Sequence, residues 1–383
     1  MNVAISVVRP FHVTKMANAL RKHADAVDIW TTAPRRYFRH LDDSVRTHLI
    51  PSPVELFSHI LKLRLFPAAF QHGIVWWDRM VAAAMPRTDV PADVVIGFAT
   101  GALHTGQAAH KRGAQFALDR ACPFVDFQQN LVRDEAAKTG AVFQPEPAWF
   151  RDRQLAEYET ADTILVPSRY TARSFPAHLQ SKLLLAPLLG RAQAKGAIRL
   201  ERNTPFTVGV LGGQPLRKGY LYLLQAWRKL NLPNARLLLR TSGDFSAYPK
   251  LAELLRETPN VELIDYVPNI AEFYQRCDLF VLPSMDDGFG MALFEAMANG
   301  VPSIATRNCG ASELLTDGVD GLVIDAGSTD QLAEAIASLY EDEPRRQALA
   351  IAGQATVERI SETTLYEEAL LQLLERRRAT AVA

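Results

Sequence analysis

The chain has 383 residues, 48% of them hydrophobic and 22% charged, and its 42 Lys and Arg residues balance 42 Asp and Glu residues. At roughly 100 to 200 residues per domain this length predicts two domains, and the neutral balance disfavours a nucleic-acid coat or a strongly basic membrane anchor. The three cysteines, Cys122, Cys277 and Cys309, form no CxxC pair, so neither a zinc site nor a disulfide framework is predicted.

The amino-terminal residues lack the basic start, apolar centre and small-residue cleavage site of a secretion signal. No run of about 18 apolar residues follows, so we expect a cytoplasmic protein. A stripe rich in apolar and aromatic residues runs from 55 to 85 and includes Trp76 and Trp77. Such a stripe either packs against its own sheet or makes a peripheral contact with the inner face of a membrane or with a lipid-linked acceptor.

Short apolar runs alternate with longer helical patterns, which is typical of parallel strands joined by crossover helices. The predicted strands of the first half are Asn2–Val8, Ala26–Thr32, Asp93–Gly97, Gln115–Leu118, Thr163–Val166 and Lys182–Leu185. Those of the second half are Phe206–Leu211, Ala235–Arg240, Val261–Ile264, Leu279–Leu282, Ser303–Ala305 and Leu322–Ile324.

This rhythm predicts the α/β class, with two doubly wound Rossmann-like domains at 1–186 and 206–360. The segment 187–205 is the predicted linker because it carries prolines and glycines without a clear period. Two such sheets facing each other form a cleft at the carboxyl ends of their strands, where these sheets bind ligands. A helical pattern within 361–383 is expected to close the chain by packing back toward the first domain.

The most informative stretch reads DDGFGMALFE and spans residues 286–295. It lies between a predicted buried strand and a predicted helix, Met291–Asn299, that ends at Gly300. Gly288 and Gly290, which flank Phe289, let a backbone approach a ligand closely. The N–H groups of Met291 and Ala292 at the helix N-terminus are then expected to face a diphosphate.

Two acids bracket this turn. Helical side chains lean toward the N-terminus, so Glu295 is placed to reach the ribose hydroxyls of a ligand held there. Asp287 stands before the turn, where it is expected to hold sugar hydroxyls. The alternative is that Asp-Gly is an ordinary turn and that the early Glu merely favours the helix dipole.

The sequence from Val281 to Pro302 closely resembles the signature of glycosyltransferase family 4, whose members are retaining enzymes of the GT-B fold. That signature has two glutamates separated by seven residues around a G-F-G turn. The resemblance continues through Gly310–Leu315 and Asp317–Val323, and back to Val208–Gly219, where it implies that Lys218 grips the donor diphosphate. In the first half it is patchy and rests on 157–168 and on the Asp119-Arg120 segment.

The chain departs from this family in several places. The first glutamate of the pair is Asp287, one methylene shorter. Gly212 and Gly213 stand where many relatives have an arginine, which leaves Arg217 beside Lys218 as the spare cation. A histidine that commonly follows the fifth strand is replaced, by position, by Asp119.

Asp119 is a catalytic candidate together with Asp287, because an acid near the anomeric carbon stabilises the positive charge that develops there. The alternative is an ion pair with Arg120 or a capped turn. On the acceptor side the candidates are His12, Lys15 and His104, and for each histidine a purely structural role is the alternative. No metal is expected, and Asp286-Asp287 is not interpreted as a metal-binding D-x-D.

The resemblance implies a retaining glycosyltransferase that needs no cofactor and takes a UDP- or GDP-sugar as substrate. Its acceptor would be a glycan, a lipid-linked glycan or a small molecule, and nucleic acid is not an expected partner. The alternatives are a catalytically silent sugar-nucleotide-binding subunit and a GT-B epimerase or phosphorylase. Neither the donor sugar nor the oligomeric state follows from the sequence.

Overall fold

The structure is a computed structural model that describes residues 1–52, 67–85, 91–188, 198, 203–265 and 267–382. Most of the predicted linker, 187–205, and the part of the aromatic stripe from 55 to 66 lie outside the described residues. The described residues form two parallel sheets, one in each half of the chain. The predicted α/β class with two doubly wound domains is confirmed.

The first sheet has seven strands in the order β3-β2-β1-β4-β5-β6-β7. Its strands are β1 Asn2–Val7, β2 Ala26–Thr31, β3 Arg46–Leu49, β4 Val94–Phe98, β5 Gln115–Asp119, β6 Thr163–Val166 and β7 Leu183–Leu185. All of its pairings are parallel. The carboxyl ends of its strands therefore lie along one edge, which the loops after β1, β4 and β5 share.

The second sheet has the order β10-β9-β8-β11-β12-β13 and is also parallel. Its strands are β8 Phe206–Leu211, β9 Ala235–Arg240, β10 Val261–Ile264, β11 Leu279–Leu282, β12 Ser303–Thr306 and β13 Leu322–Ile324. The order reverses between β8 and β11, so the turns that follow these two strands flank the switch point where such sheets bind ligands.

Helices connect the strands and cover both sheets. In the first half they are α1 Val13–Arg21, α2 Pro67–Ala84, α3 Leu103–His110, α4 Val125–Thr139, α5 Ala148–Thr160 and α6 Arg169–Arg173. In the second half they are α7 Tyr220–Leu230, α8 Pro249–Glu257, α9 Ile270–Gln275, α10 Met291–Ala298, α11 Thr329–Glu341, α12 Glu343–Ser361 and α13 Leu365–Val382.

The edge strand β3 was not predicted. Its sequence, RTHL, is polar and its residues are exposed or half-buried, so the continuous apolar run of a buried strand is missing. The strand forms because its backbone pairs with β2, and a surface edge position requires no apolar face.

The last helix, α13, packs on the first domain. Its apolar residues join the core cluster that contains the buried faces of β1 and α1; they are Tyr366, Ala369, Leu370, Leu373 and Leu374. Each of them is at most 3% exposed. The chain therefore passes through the second domain and returns to complete the core of the first.

The described part of the aromatic stripe is helix α2, and its two tryptophans have different environments. Trp77 is 1% exposed and its indole N–H donates to the carbonyl of Ile50, whereas Trp76 is 42% exposed. One face of α2 thus packs on its own sheet. Within the described residues no helix is long and apolar enough to cross a lipid bilayer.

Candidate glycosyl-donor site

Two turns of the second domain build the candidate site. One follows β8 and contains Lys218, and the other follows β11 and contains Asp287. Because β8 and β11 are parallel neighbours, these turns lie side by side. The ammonium group of Lys218 forms an ion pair with Asp287, and both side chains are about one-fifth exposed.

The glycines of the β8 turn make room for this lysine. A Cβ atom added at Gly212 would lie 2.6 to 2.8 Å from side-chain carbons of Lys218. One added at Gly213 would lie 3.0 Å from the hydroxyl of Ser242. Gly212 therefore allows Lys218 to lie across the turn and extend toward Asp287.

Arg217 is anchored in the same turn by a buried acid. Its Nε donates to Oδ2 of Asp286 at 2.8 Å, and its Nη1 donates to Gln214 at 2.7 Å. Asp286 is fully buried and also accepts a 2.6 Å hydrogen bond from Gln128 of the first domain. The sequence pointed to Arg217 but gave Asp286 no role, because its partners are distant along the chain.

The glycine turn contacts protein at the places where we expected a ligand. A Cβ at Gly288 would lie 2.0 Å from the carbonyl oxygen of Ala121 in the first domain. The carbonyl of Gly288 accepts hydrogen bonds from the hydroxyls of Ser168 and Thr171. The close approach that we predicted for Gly288 is therefore a contact between domains.

The rest of this turn is tightly packed. Gly290 has φ +87°, and a Cβ there would lie 2.3 Å from the sulfur of Cys309. The ring of Phe289 is 3% exposed and lies beside that of Phe294. Phe289 therefore anchors the turn in the core, whereas Gly290 lets the chain enter α10.

The N-terminus of α10 presents unbonded amides. In the described part of the chain, no acceptor is hydrogen-bonded to the amides of Met291 or Ala292. Glu295, one turn further on, is half-buried, and its Oε2 accepts a 3.0 Å hydrogen bond from the hydroxyl of Tyr274. That contact fixes the carboxylate of Glu295 one helical turn from the two amides.

On the first domain, three of the predicted residues lie together. His12 and Asp119 are joined by a 2.9 Å contact between Nε2 and Oδ2. The rings of His12 and Tyr366 are 6.3 Å apart, and the ammonium group of Lys15 lies 5.0 Å from the centre of the Tyr366 ring. Burial lowers the pKa of Lys15 to about 8, although the nearby carboxylate of Glu367 opposes that shift.

The alternative ion pair between Asp119 and Arg120 is wrong. Arg120 is buried and donates to the carbonyls of Cys122 and Pro123 and to the side chain of Gln154. Its guanidinium thus holds the loop after β5, the same loop that contacts Gly288. Asp119 pairs with His12 instead.

His104 lies on a separate part of the first domain. Its Nε2 accepts a 3.2 Å hydrogen bond from Arg79, and its amide donates to the buried Asp78. Asp78 also forms an ion pair with Arg153, which pairs with Glu157 at 2.8 Å. The structure therefore does not join His104 to the contacts of His12 and Asp119.

This buried network holds the loop after β4. Glu157 accepts hydrogen bonds from the amides of Thr100 and Ala102, and Thr100 has an unusual φ of +78°. Burial raises the pKa of Glu157 to about 7, although Arg153 and the two amides oppose the rise. The sequence did not predict this network, which fixes the backbone beside Asp119.

Two further features concern possible ligands. No group of three or more His, Cys, Asp or Glu residues is placed to hold a metal ion within the described residues. A surface cavity of about 680 Å³ includes His110, Asp162 and Lys182 in its lining. That cavity lies at the amino-terminal ends of β5 and β6, the opposite edge of the sheet from the loops described above.

The architecture is that of the GT-B fold. A sucrose-phosphate synthase from Thermosynechococcus elongatus superposes on all of this chain and all of its own with a TM-score of 0.71 and 17% identity. Anabaena HepE, solved in complex with UDP-glucose, covers 98% of this chain and 100% of its own with a TM-score of 0.64 and 15% identity.

One part of the chain is similar in sequence to known glycosyltransferases. Residues 192–356, less than half of the chain, match the family described as "Glycosyl transferases group 1". The capsular polysaccharide biosynthesis glycosyltransferase CapM of Staphylococcus aureus is 30% identical over 171 residues, which are 43% of this chain and 45% of CapM. The chain spans about half the length of the curated relatives it matches.

Proposed function

We propose that the chain is a retaining glycosyltransferase that moves a sugar from a UDP- or GDP-sugar to a hydroxyl group of an acceptor. The observation that carries this proposal is that Lys218, Asp287 and the unbonded amides of α10 come from adjacent turns at the switch point of the second sheet. The match of residues 192–356 to group 1 glycosyltransferases supports it, because that segment contains all of these groups.

In this proposal the donor diphosphate binds between Lys218 and the N-terminus of α10. Peptide dipoles and free N–H groups at a helix N-terminus attract phosphate. The diphosphate replaces Asp287 as the partner of Lys218, and Asp287 then accepts hydrogen bonds from the sugar. Glu295, held by Tyr274, accepts from the ribose hydroxyls. The cation and the helix stabilise the leaving diphosphate without a metal ion.

The acceptor enters from the first domain. Asp119, at the end of β5, lies next to His12 and faces the side of the cleft opposite the donor site in this proposal. Its negative charge stabilises the positive charge that develops at the anomeric carbon. Contacts between the domains at Gly288 and Asp286 exclude water from the site, which limits hydrolysis of the donor.

A sugar-containing or lipid-linked acceptor is the proposed acceptor class. CapM is named for capsular polysaccharide biosynthesis, and HepE was solved with UDP-glucose. The name of CapM supports a role in glycan biosynthesis for this chain, and the HepE complex makes UDP-sugars the first donors to test.

A thermal-shift screen with UDP, GDP, ADP and their sugars tests the donor site. A ligand present at about 100 times its dissociation constant stabilises the folded state by about 2.7 kcal/mol. We expect this stabilisation with one nucleotide and its sugars. If no nucleotide or nucleotide sugar shifts the transition, the proposal is wrong.

Donor turnover in an extract of acceptors then separates a transferase from a silent binding subunit. We expect a product that keeps the anomeric configuration of the donor, which NMR of the purified product determines. Donor binding without turnover in any acceptor mixture would favour the silent subunit.

A further inference from the structure

Asp286 is a buried carboxylate shared by the two domains. Its side chain is fully buried, and its Oδ2 accepts from Arg217 Nε at 2.8 Å and from Gln128 Nε2 at 2.6 Å. Its other oxygen, Oδ1, has no hydrogen-bond partner within the described residues. Arg217 belongs to the second domain and Gln128 to the first. Oδ2 of Asp286 therefore bonds both a cation of its own domain and a side chain of the other domain.

Arg217 directly precedes Lys218 in the sequence, and Asp286 directly precedes Asp287. The two turns therefore make two consecutive cation–acid pairs, Arg217 with Asp286 and Lys218 with Asp287. The side chain of Arg217 is 20% exposed. Its Nε and Nη1 are bonded to Asp286 and Gln214, whereas Nη2 makes no hydrogen bond to any residue that the structure describes. This one nitrogen is therefore left to meet a ligand.

A second group of the first domain lies at the same carboxylate. The hydroxyl of Tyr170 is buried and interacts with the carboxylate of Asp286. Burial raises the pKa of Tyr170, and the negative charge of Asp286 adds to that rise. Movement of the first domain away from the second would therefore remove Gln128 and Tyr170 together from Asp286.

A buried carboxylate that loses a hydrogen-bond donor must find another partner or become solvated. When Gln128 leaves, Asp286 turns toward water or draws Arg217 closer, and either movement changes the direction of the guanidinium. Contact of the first domain thereby fixes the cation that lies beside Lys218.

We propose that Gln128 and Asp286 are positioning residues that make the orientation of Arg217 toward the donor diphosphate depend on docking of the first domain. This inference rests on the proposed function, because it names how the same diphosphate site acquires its second cation. Gln128 acts through Asp286 and does not touch the donor. Docking and donor binding then strengthen each other, as reciprocal coupling between two sites requires.

The test is a coupling measurement with UDP and with GDP as probes, made by calorimetry on the full chain. Gln128→Met keeps the size of the side chain and removes its donor. We expect it to weaken binding of the nucleotide that wild type binds by about tenfold, or about 1.4 kcal/mol, because the carboxylate of Asp286 loses a hydrogen-bond donor. In an Arg217→Met background the same change should weaken binding by less than about twofold.

Tyr222→Phe is the matched control. Tyr222 of α7 makes hydrogen bonds with Glu135 and Lys138 of α4, the helix that carries Gln128. This variant removes a domain contact that does not reach Arg217, while Ser168, Thr171 and Glu313 still hold the domains together. We therefore expect less than about a twofold loss of nucleotide affinity. Asp286→Asn, which keeps the shape of the buried side chain, repeats the test if Gln128→Met fails to fold.

Each outcome is decisive. If the loss caused by Gln128→Met is the same with and without Arg217, or if Tyr222→Phe is equally damaging, the positioning role is wrong. If wild type binds neither UDP nor GDP, the proposed donor site itself is wrong. A tenfold loss that disappears in the Arg217→Met background supports the inference.

Discussion

The turn after β8 leaves room for the side chain of Lys218. Gly212 leaves no side chain in its path, and Asp287 forms an ion pair with its ammonium group. Because both groups are partly exposed, the proposed donor diphosphate could compete with Asp287 for the ammonium group. The ion pair thus holds the side chain of Lys218 in the position where we propose that it meets the donor.

Replacing Lys218 by Met tests this residue. We expect the affinity for the bound nucleotide to fall by about 2 kcal/mol, or about thirtyfold, because a charged hydrogen bond to phosphate is lost. Calorimetry with UDP and GDP measures the change. Lys229→Met is the control, since Lys229 is 60% exposed and pairs with Asp330 on the surface. Equal losses in the two variants would contradict the role of Lys218.

Glu157 makes stability depend on pH. Its pKa is raised from 4.5 to about 7, so the folded protein keeps a proton that the unfolded chain releases between these values. Stability contributed by this group is complete below pH 4.5 and is lost as the pH rises through about 7, with an amplitude of about 3 kcal/mol.

Glu157→Gln should remove that contribution to the pH dependence. Urea unfolding of both proteins between pH 4.5 and 8 gives the difference in unfolding free energy. We expect this difference to change with pH across the window, because unfolding of wild type releases the proton of Glu157 there and the variant has no such proton. Parallel curves would show that Glu157 is already ionised in the folded protein across this window, as Arg153 favours.

At the scale of residues, the members of one local motif could be predicted from the sequence. Asp287, the amides of α10 and Glu295 follow each other within ten residues, so the spacing alone brings them to one turn. Contacts between residues that are distant in the sequence could not be predicted from a local pattern. Asp286 and Arg217 are 69 residues apart, and His12 and Asp119 are 107 apart. Nothing in the local pattern assigned Gly288 to Ala121.

Helix α13 shows the same contrast for an element. Its apolar periodicity predicts a helix with one buried face, and the structure gives that face to the first domain. Leu373 has no exposed surface, whereas its neighbour Gln372 is exposed. The edge strand β3 was not predicted, because a strand at an exposed edge does not require a run of apolar residues.

Leu373→Ala should destabilise the first domain. Removing a buried leucine side chain costs about 2 to 5 kcal/mol, depending on how far the cavity collapses. We expect a lower urea midpoint with an unchanged denaturant slope, and Gln372→Ala should unfold like wild type. A loss below about 1 kcal/mol would mean that α13 adds little to the core of the first domain.

For the whole molecule, the contacts between domains cluster around the β11 turn. Ser168 and Thr171 donate to Gly288, Gln128 donates to Asp286, and Glu313 accepts from the amides at the start of α6. The same turn carries Asp287. The turn that holds the two domains together is therefore also a part of the proposed donor site.

Gly288→Ala tests that connection. The added methyl group would lie 2.0 Å from a backbone oxygen of Ala121, which forces the domains apart or distorts the turn. We expect donor turnover to fall at least about tenfold, since a displacement of about 1 Å can cost 100-fold in rate.

Gly318→Ala is the control for Gly288→Ala. Gly318 has φ +78° and open space around it, so alanine there should cost about 1 kcal/mol of stability and leave turnover unchanged. If Gly288→Ala turned over donor like wild type, the contact with Ala121 would have no part in the reaction.

The class of the molecule was predictable because alternating strand and helix patterns admit few topologies. The relation between its domains was not, since it depends on pairs such as Ser168 and Gly288, which are 120 residues apart. Side chains that serve such contacts look like ordinary surface or turn residues in the sequence.

The return of α13 to the first domain also has a consequence for synthesis on the ribosome. The strands of the first domain emerge before residue 186, yet the helix that fills one side of their core begins at Leu365. At roughly 5 to 20 residues per second, the nascent first domain waits about 10 to 35 seconds with that apolar surface uncovered. Chaperones that bind exposed apolar surface have that interval in which to act, and it closes when α13 leaves the exit tunnel.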